Sequence, residues 1–408
     1  MTTPLRIVRV ADQFPPLRGG LSSGILALSR EQHHRGHDVT VIAADAPGAR
    51  KVDAGLPFRV IRIPVSSLLR LGWRAAGMIQ ALDQPPDVIH CHGPTAGSVL
   101  LRRRRNSPPV VVTLHAVRKY QFSLFGALTE LAQAVRTDTR EALRNPPPRY
   151  HPWIPRVARQ LLIEWFVCTR SDHLALVAGH FGDLVAEYYG VPPSRVTVVY
   201  NGSDLEPCPE EGGNLASWLS VVARRDKLVL YVGRLDWVKR AHLLVQAMPA
   251  VRQRHPDARL VLVGDGDQRA DLERLVVKLS LEDVVSLRGW TAHDELPEIY
   301  RCAACLCLPS IWEGLSKVLL EAMSFGIPVL ASENRANVEL LGDGLGTLVS
   351  EPTPDAWAGA IVRALDAEEE VVARARRARS ASDRRFRWHH VAERMDEMYE
   401  RLTARKAW

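Results

Sequence analysis

The chain has 408 residues, 46% hydrophobic and 24% charged, which is enough for two or three domains at roughly 150 residues each. That composition excludes a disordered tail protein, a disulfide-stapled miniprotein and a fibrous repeat. The 53 Lys and Arg exceed the 46 Asp and Glu by seven, and a net charge of +7 suits a phosphate-bearing partner without calling for a nucleic acid. The six cysteines (91, 168, 208, 302, 305 and 307) follow no framework spacing and lie mostly in apolar runs. They read as reduced and buried, which points to a cytoplasmic protein. The opening MTTPLRIVRVADQFPP is broken by Arg6, Arg9 and Asp12 and does not read as a signal peptide. No run of 18 uncharged apolar residues predicts a membrane span.

In chain order, Leu5–Ala11 reads as a buried strand, followed by Gly19 and Gly20 and an amphipathic helix from about Ser22 to Arg35. Gly36 closes that helix. Further strands are predicted at His37–Ala43, Phe58–Ile63, Asp87–His92, Val110–His115, Leu174–Ala178 and Arg195–Tyr200. The basic stretch 116–170, with RNPPPRYHPWIP inside it, reads as an insertion shaping one wall of a cleft. Asn201-Gly202-Ser203-Asp204 and the Pro- and Gly-rich run after it mark a domain boundary near 203–215. The alternation then restarts, with strands at Lys227–Val232, Arg259–Val263, Val284–Leu287, Ala304–Leu308 and Pro328–Ala331. Helices follow at Ala241–His255, Gln268–Leu279 and Ser316–Phe325. The expected fold is α/β: two tandem, doubly wound, Rossmann-like domains facing a cleft, over 1–203 and 204–385. The segment 386–408 is expected to form a helix packed back on the first domain.

Four clusters fall where such folds bind ligands, at strand ends and helix starts. Gly19 and Gly20 allow a close backbone approach and precede a helix N-terminus that favours anions, although a plain tight turn explains them equally well. Gly233-Arg234-Leu235-Asp236-Trp237-Val238-Lys239 leaves the strand LVLYV. It offers a guanidinium fork and an ammonium to one diphosphate; the bland alternative is a surface ion pair. Gly264-Asp265-Gly266 lacks the third glycine of a dinucleotide fingerprint and reads as a turn. The fourth cluster, PSIWEGLSKVLLEAM, carries Glu313 in a loop and Glu321 eight positions further on in a helix, among core-type residues that leave a lone acid wanting a partner. Exposed N–H groups lie between the two acids and suit an anionic or polyhydroxyl ligand.

Other candidates are weaker. Cys302, Cys305 and Cys307 have no second CxxC and no neighbouring His, so structural thiols are expected rather than zinc. His33 and His37 are separated by Gly36, which argues against a metal pair. His90 and His92 share one side of a strand end, as lining or as core. His115 ends another strand and is placed facing a ligand. Arg102–Arg105 reads as a solvated helix end.

Taken together, the motifs resemble the retaining, nucleotide-sugar-dependent glycosyltransferases of family 4, which have the GT-B fold. PPLRGGL with RGHDVTVIA is similar to that family's first βα unit, DVIHCHG and VVVTLH to its middle strands, and VVYNGSD to its domain junction. YVGRLDWVK is similar to its phosphate motif, and PSIWEGLSKVLLEAMSFGIPVLAS to its paired-glutamate motif. The resemblance implies roles residue by residue. Gly19, Gly20, Arg234 and Lys239 would meet the diphosphate, with Gly233 opening the phosphate motif, and Glu321 the ribose. Glu313 and the backbone of Gly314, Leu315 and Ser316 would hold the donor sugar. The Gly289-Trp290-Thr291 loop would line the base pocket, and His115 would face the transferred sugar. No cofactor and no metal are implied. The sequence departs from the family at 333–339, where only Glu339 fits the usual loop, at Ala178, and at Arg240, where glycine is common.

The expected function is transfer of a hexose-type sugar, with retention, from a nucleoside-diphosphate sugar (UDP first) to a hydroxyl acceptor. Retention without an evident carboxylate nucleophile favours front-face attack. The alternatives are a sugar-nucleotide epimerase or hydrolase, a dehydrogenase, and a non-catalytic nucleotide-sugar-binding module. The acceptor is left open among small molecule, glycan and lipid-linked intermediate. Nucleic acid is not expected as a partner. Peripheral contact with the inner face of a membrane is allowed by Arg102–Arg105 and the basic 116–170 stretch, although no amphipathic membrane helix stands out in the sequence.

Overall fold

A computed structural model of the protein describes residues 3–17, 19–65, 67–117, 153–203, 205, 227–292 and 295–404, with the side chains of the 153–170 helix described from 159 onward. The chain divides into two compact units, Met1–Tyr200 with Val391–Trp408 and Asn201–His390.

The first unit is built on seven parallel strands: β1 (Arg6–Ala11), β2 (Asp38–Ala44), β3 (Arg59–Ile63), β4 (Val88–His92), β5 (Val110–Leu114), β6 (His173–Leu176) and β7 (Val196–Val198). Their order is β3-β2-β1-β4-β5-β6-β7. The second unit has six: β8 (Leu228–Val232), β9 (Arg259–Val263), β10 (Val285–Gly289), β11 (Cys305–Leu308), β12 (Val329–Ser332) and β13 (Thr347–Val349), in the order β10-β9-β8-β11-β12-β13. Strands such as VVVTL, LVLYV and CLCL are buried along their whole length, as parallel strands covered on both faces must be. The strand order reverses between β1 and β4 and again between β8 and β11. In each sheet the loops leaving those two strands diverge, and the crevice between them is where doubly wound folds bind ligands.

The 116–170 expectation is corrected in part. Trp153–Arg170 is the crossover helix between β5 and β6, hence part of the βα framework. It packs on Ala96–Leu101, which in turn packs on Leu68–Gln80. The rest of that stretch lies outside the described residues. The structural division falls at Tyr200–Asn201, and Phe386–His390 go with the second unit. The reason is local pairing: Ser203 N–H donates to the Phe386 carbonyl at 2.8 Å, and a side chain at Gly202 would strike the Trp388 ring at 2.6 Å. Gly36 closes the Gly20–His34 helix at φ 94°, a conformation that favours glycine.

Within the first unit, the Trp388–Ala404 helix carries a buried carboxylate, Asp396, into contact with the Gly20–His34 helix and the residues after it. Gln32 Nε2 donates to Asp396 Oδ1 at 2.7 Å and Arg35 Nε to Oδ2 at 2.7 Å. His37 Nε2 lies 3.1 Å from Oδ2, while its Nδ1 accepts the Leu5 N–H at 3.0 Å, which places the ring proton on the Asp396 side. Burial by itself would raise the Asp396 pKa, but the hydrogen bonds from His37, Arg35 and Gln32 outweigh it and hold the carboxyl below its usual range. A depressed carboxylate pKa contributes stability that is present above the unfolded value of about 3.9 and is lost as pH falls through the folded value. Asp396→Ala should therefore cost about 3 kcal/mol at neutral pH by breaking a buried ion pair, with a difference from wild type that shrinks in strong acid. Urea unfolding across that pH range checks it, and a loss near zero at neutral pH would contradict it.

Candidate active site

In the second unit, the loops leaving β8, β9, β10 and β11 lie in adjacent register. Gly233 follows β8, and its carbonyl oxygen sits only 1.8 Å from where a Cβ on Gly264 would be. Gly264 has φ +135°, so both its backbone and its neighbour require glycine there. Leu235 N–H donates to the Asp265 carbonyl at 2.9 Å, and Gly264 N–H to the Gly289 carbonyl at 2.7 Å. The Gly-Asp-Gly turn is thus a brace under the Gly233–Leu235 loop. From below, the Tyr231 hydroxyl donates to the Arg234 carbonyl at 2.6 Å. Burial, followed by the nearby carboxylates of Asp236 and Glu313, pushes that phenol far up, so it stays a donor.

The braced loop presents two cations in different ways. Arg234 is exposed, its side chain 77% accessible, and its Nη2 lies 3.1 Å from Asp236 Oδ2. Lys239 is mostly covered, and its Nζ lies 2.5 Å from Glu313 Oε1. Asp236 also accepts the Lys239 N–H at 3.1 Å, so one carboxylate orders the segment between the two cations. Ile311 N–H donates to the Val238 carbonyl at 2.8 Å, tying the β8 loop to the β11 loop. Arg240, next in the chain, sits at φ 48°, a left-handed conformation that costs a non-glycine residue roughly 1–2 kcal/mol. That explains why glycine is the easier residue at this position.

On the β11 side, Glu313 and Glu321 are both buried. The Tyr300 hydroxyl donates to Glu321 Oε2 at 2.8 Å, giving that acid the partner its setting demands. Gly314, Leu315 and Ser316 lead into the Lys317–Phe325 helix, whose N-cap Ser316 makes no side-chain cap, so the first-turn N–H groups are not taken by it. Ser310 Oγ and Trp312 Nε1 are buried beside Glu313 with no hydrogen-bond partner among the described residues. Trp290 follows β10, half exposed, next to the Gly264 brace. The structure thus gathers Gly233, Arg234, Lys239, Trp290, Glu313, Gly314, Leu315, Ser316 and Glu321 at one edge of one sheet. Sequence reasoning missed Tyr231, Tyr300, Ser310 and Trp312, whose roles depend on where their hydroxyl and N–H groups end up.

Gly19, Gly20 and His115 belong to the first unit. Gly19, at φ +135°, is the N-cap of the Gly20–His34 helix on the β1 side of the switch point. His115 follows β5, and its Nε2 lies 3.3 Å from His92 Nδ1 at the end of β4. His92 stacks on His90 at 4.5 Å between centroids. His90 is core: it is bonded to Thr113 Oγ1 at 2.6 Å and to the Tyr399 hydroxyl at 2.5 Å. Burial is the main cause that lowers all three histidines, His115 to about 4, so the column is neutral at pH 7. His92 and His115 line a cavity of about 440 Å³ that also includes Asp12, Gln13, Arg159 and Glu164. His92 Nε2 is buried and has no hydrogen-bond partner among the described residues. Cys302, Cys305 and Cys307 are buried thiols, none of them in a disulfide, and His37 is committed to Asp396. Among the described residues no group of three or more His, Cys, Asp or Glu side chains is placed to hold a metal ion.

Comparison with known proteins places this geometry. A family model described as "Glycosyltransferase Family 4" matches residues 18–207, and one described as "Glycosyl transferases group 1" matches 220–381. An uncharacterized glycosyltransferase of Methanocaldococcus jannaschii is 27% identical over 383 residues, covering 88% of this chain and 89% of that protein. The D-inositol 3-phosphate glycosyltransferase of Salinispora tropica is 28% identical over 444 residues, covering 98% and 86%. Among solved structures, Anabaena HepE in complex with UDP-glucose superposes with a TM-score of 0.73 at 19% identity, over 97% of this chain and 99% of that one.

Gly264→Ala should cost at least about 2 kcal/mol, because its methyl group would displace the Gly233 carbonyl and its φ is unfavourable for alanine. Thermal unfolding measures this, and an unchanged midpoint would mean that the brace is not rigid. His115 should titrate near 4 by NMR, and a value near 6.5 would place it in solvent.

Proposed function

The chain belongs to the glycosyltransferases of GT-B fold, a Glycosyltransferase Family 4 domain followed by a Glycosyl transferases group 1 domain, and on that premise we propose that it moves a hexose-type sugar from a nucleoside-diphosphate sugar to a hydroxyl acceptor, with retention at the anomeric carbon. The observation that carries this reading is the Lys239–Glu313 pair at the switch point of the second sheet, with Arg234 exposed beside it and the start of the Lys317–Phe325 helix beyond. UDP is the preferred donor nucleotide, supported by the likeness to the Anabaena protein crystallised with UDP-glucose.

As the glycosidic bond breaks, negative charge grows on the departing diphosphate. Fixed donors are most effective there, because they need no reorganisation at the moment of reaction. In this reading the charge is met by Arg234, by Lys239 and by the N–H groups of Gly314 to Ser316, in place of a metal ion. Glu313 holds Lys239 in position and accepts from donor-sugar hydroxyls. Glu321, steadied by Tyr300, accepts from the ribose. Trp290 and its loop border the base. The sugar passes through an oxocarbenium-like state. The acceptor hydroxyl attacks from the face the diphosphate leaves, and its proton goes to the leaving phosphate oxygen. The first unit's cavity supplies the acceptor site, with His92 and His115, both neutral, as hydrogen-bond partners for a polyol. Gly19 and Gly20 give that unit a helix start suited to an anion.

Incubation with UDP-, GDP- and ADP-sugars, with and without polyol acceptors, tests the proposal. Arg234→Ala and Lys239→Ala should each lower turnover at least tenfold, equivalent to about 1.4 kcal/mol of transition-state stabilisation. Glu313→Ala should lower it with intact donor, and the product anomer should match the donor. Near-normal rates in all three variants would overturn the site assignment. Sugar release without an acceptor, at full rate, would overturn transfer.

A further inference from the structure

Three neighbouring helices of the first unit expose apolar and basic side chains and no acid. On Leu68–Gln80 (LLRLGWRAAGMIQ) the outward positions are Leu68, Leu69, Arg70, Trp73, Arg74 and Met78. Trp73 is 52% exposed, with the Arg102 guanidinium lying 4.6 Å from its ring. Ala96–Leu101 packs between the other two helices and ends in exposed Leu101, followed by Arg104 and Arg105. On Trp153–Arg170 the outward positions among the described side chains are Arg159, Leu162, Trp165 and Arg170, with Leu162 66% and Trp165 49% exposed. The sequences of the first two helices contain no Asp or Glu, and the third contains only Glu164, which is buried and accepts from the Tyr189 hydroxyl at 2.5 Å.

The pattern is local. Of the twelve large apolar side chains exposed among the described residues, seven lie on these three helices. The next helix in the row, His180–Tyr189, exposes Asp183 and Glu187 instead, and the outward positions of Gly20–His34 include Arg30 and His34. Water disfavours the half-exposed tryptophans, and arginines with no acid among them leave a positive surface open to an anionic partner. Both are satisfied at a lipid–water interface, where indole rings sit at headgroup level and arginines reach anionic phosphates. No described helix is long and apolar enough to cross a membrane, so the contact would be a surface one.

We propose that this face, centred on Trp73 and Trp165 and rimmed by Arg70, Arg74 and Arg170, docks the protein on an anionic lipid surface. Charge complementarity selects that occupant over an acid-bearing apolar protein face, since the basic groups are spread over two helices and the segment after Ala96–Leu101 rather than gathered at one pocket. Leu68, Leu69 and Arg159 belong both to this face and to the rim of the 440 Å³ cavity, so an acceptor held at a membrane would enter the cavity from the docked side. That last step rests on the sugar-transfer reading. The docking does not, and it is measured with no sugar nucleotide present, so the two fail separately.

The test is co-sedimentation of the full chain with vesicles of phosphatidylglycerol and phosphatidylcholine, against phosphatidylcholine alone, at low and high salt. Wild type should bind the anionic vesicles and be released by salt. The double variant Arg70→Glu/Arg74→Glu should bind at least tenfold more weakly, as should Trp73→Ala/Trp165→Ala, while Arg30→Glu on the Gly20–His34 helix should bind as wild type does. Circular dichroism of each variant establishes that it is folded. No preference for anionic vesicles, or equal binding by folded variants of the face, would overturn the proposal. So would a stable dimer in the absence of lipid that Trp73→Ala/Trp165→Ala abolishes, which would make this face a protein interface.

Discussion

Lys239 and Glu313 leave different strands, 74 residues apart, and meet at 2.5 Å where the second sheet reverses its strand order. A mostly covered ammonium facing a buried carboxylate is tolerable only if both are held in place, because either one alone would be an uncompensated charge. Much of the surrounding loop structure serves that requirement. Asp236 orders the chain between Arg234 and Lys239, and the Ile311–Val238 hydrogen bond joins the two loops. Tyr231 and the Gly264 brace support the β8 loop from beneath and beside. The result is a pair of fixed cations, each held by a carboxylate, beside a helix N-terminus, an arrangement that fits the proposed grip on a departing diphosphate.

The first unit solves a different problem with neutral groups. Burial keeps His90, His92 and His115 uncharged, and the column runs from the Tyr399 hydroxyl in the core to the cavity. Neutral imidazoles can both donate and accept, which suits hydroxyl-bearing ligands better than anions do. The Trp388–Ala404 helix is tied to this unit through both Tyr399 and Asp396, so the C-terminal segment supports the histidine column and the Gly20–His34 helix at once. Charge is therefore used in two ways: paired cations at the strand ends of the second unit, one of them exposed, and a fully buried, compensated carboxylate for architecture in the first.

The strands were legible because runs such as LVLYV, RLVLV and VVVTL are continuous, apolar and bounded by turn residues. The cations and acids of the site were legible because they follow those strands directly. What could not be read locally was pairing. Nothing near Lys239 in the sequence announces Glu313, and Tyr231 and Tyr300 look like ordinary core residues until their hydroxyls are seen to reach Arg234 and Glu321. The Gly-Asp-Gly turn was recognised as a turn, but its role as a brace depends on a loop about 30 residues earlier. β13 is three residues long and follows the Gly-rich run Gly342-Asp343-Gly344-Leu345-Gly346, whereas the equally short β7 lies in the longer apolar run RVTVVY that marks it as a strand. The Leu68–Gln80 helix has large apolar residues on both faces, Leu71 and Ile79 inward and Leu68, Leu69, Trp73 and Met78 outward, so its sequence alone does not say which side is buried.

The central claim, that Lys239 and Glu313 act as one unit in gripping the donor, is tested most directly by a double-mutant cycle on UDP-sugar affinity with Lys239→Met and Glu313→Gln, read by calorimetry. The account predicts that each single change weakens binding and that the two together fall short of additivity by at least about 1 kcal/mol. Additivity to within about 0.3 kcal/mol would mean that the two side chains act independently, and the account would be wrong.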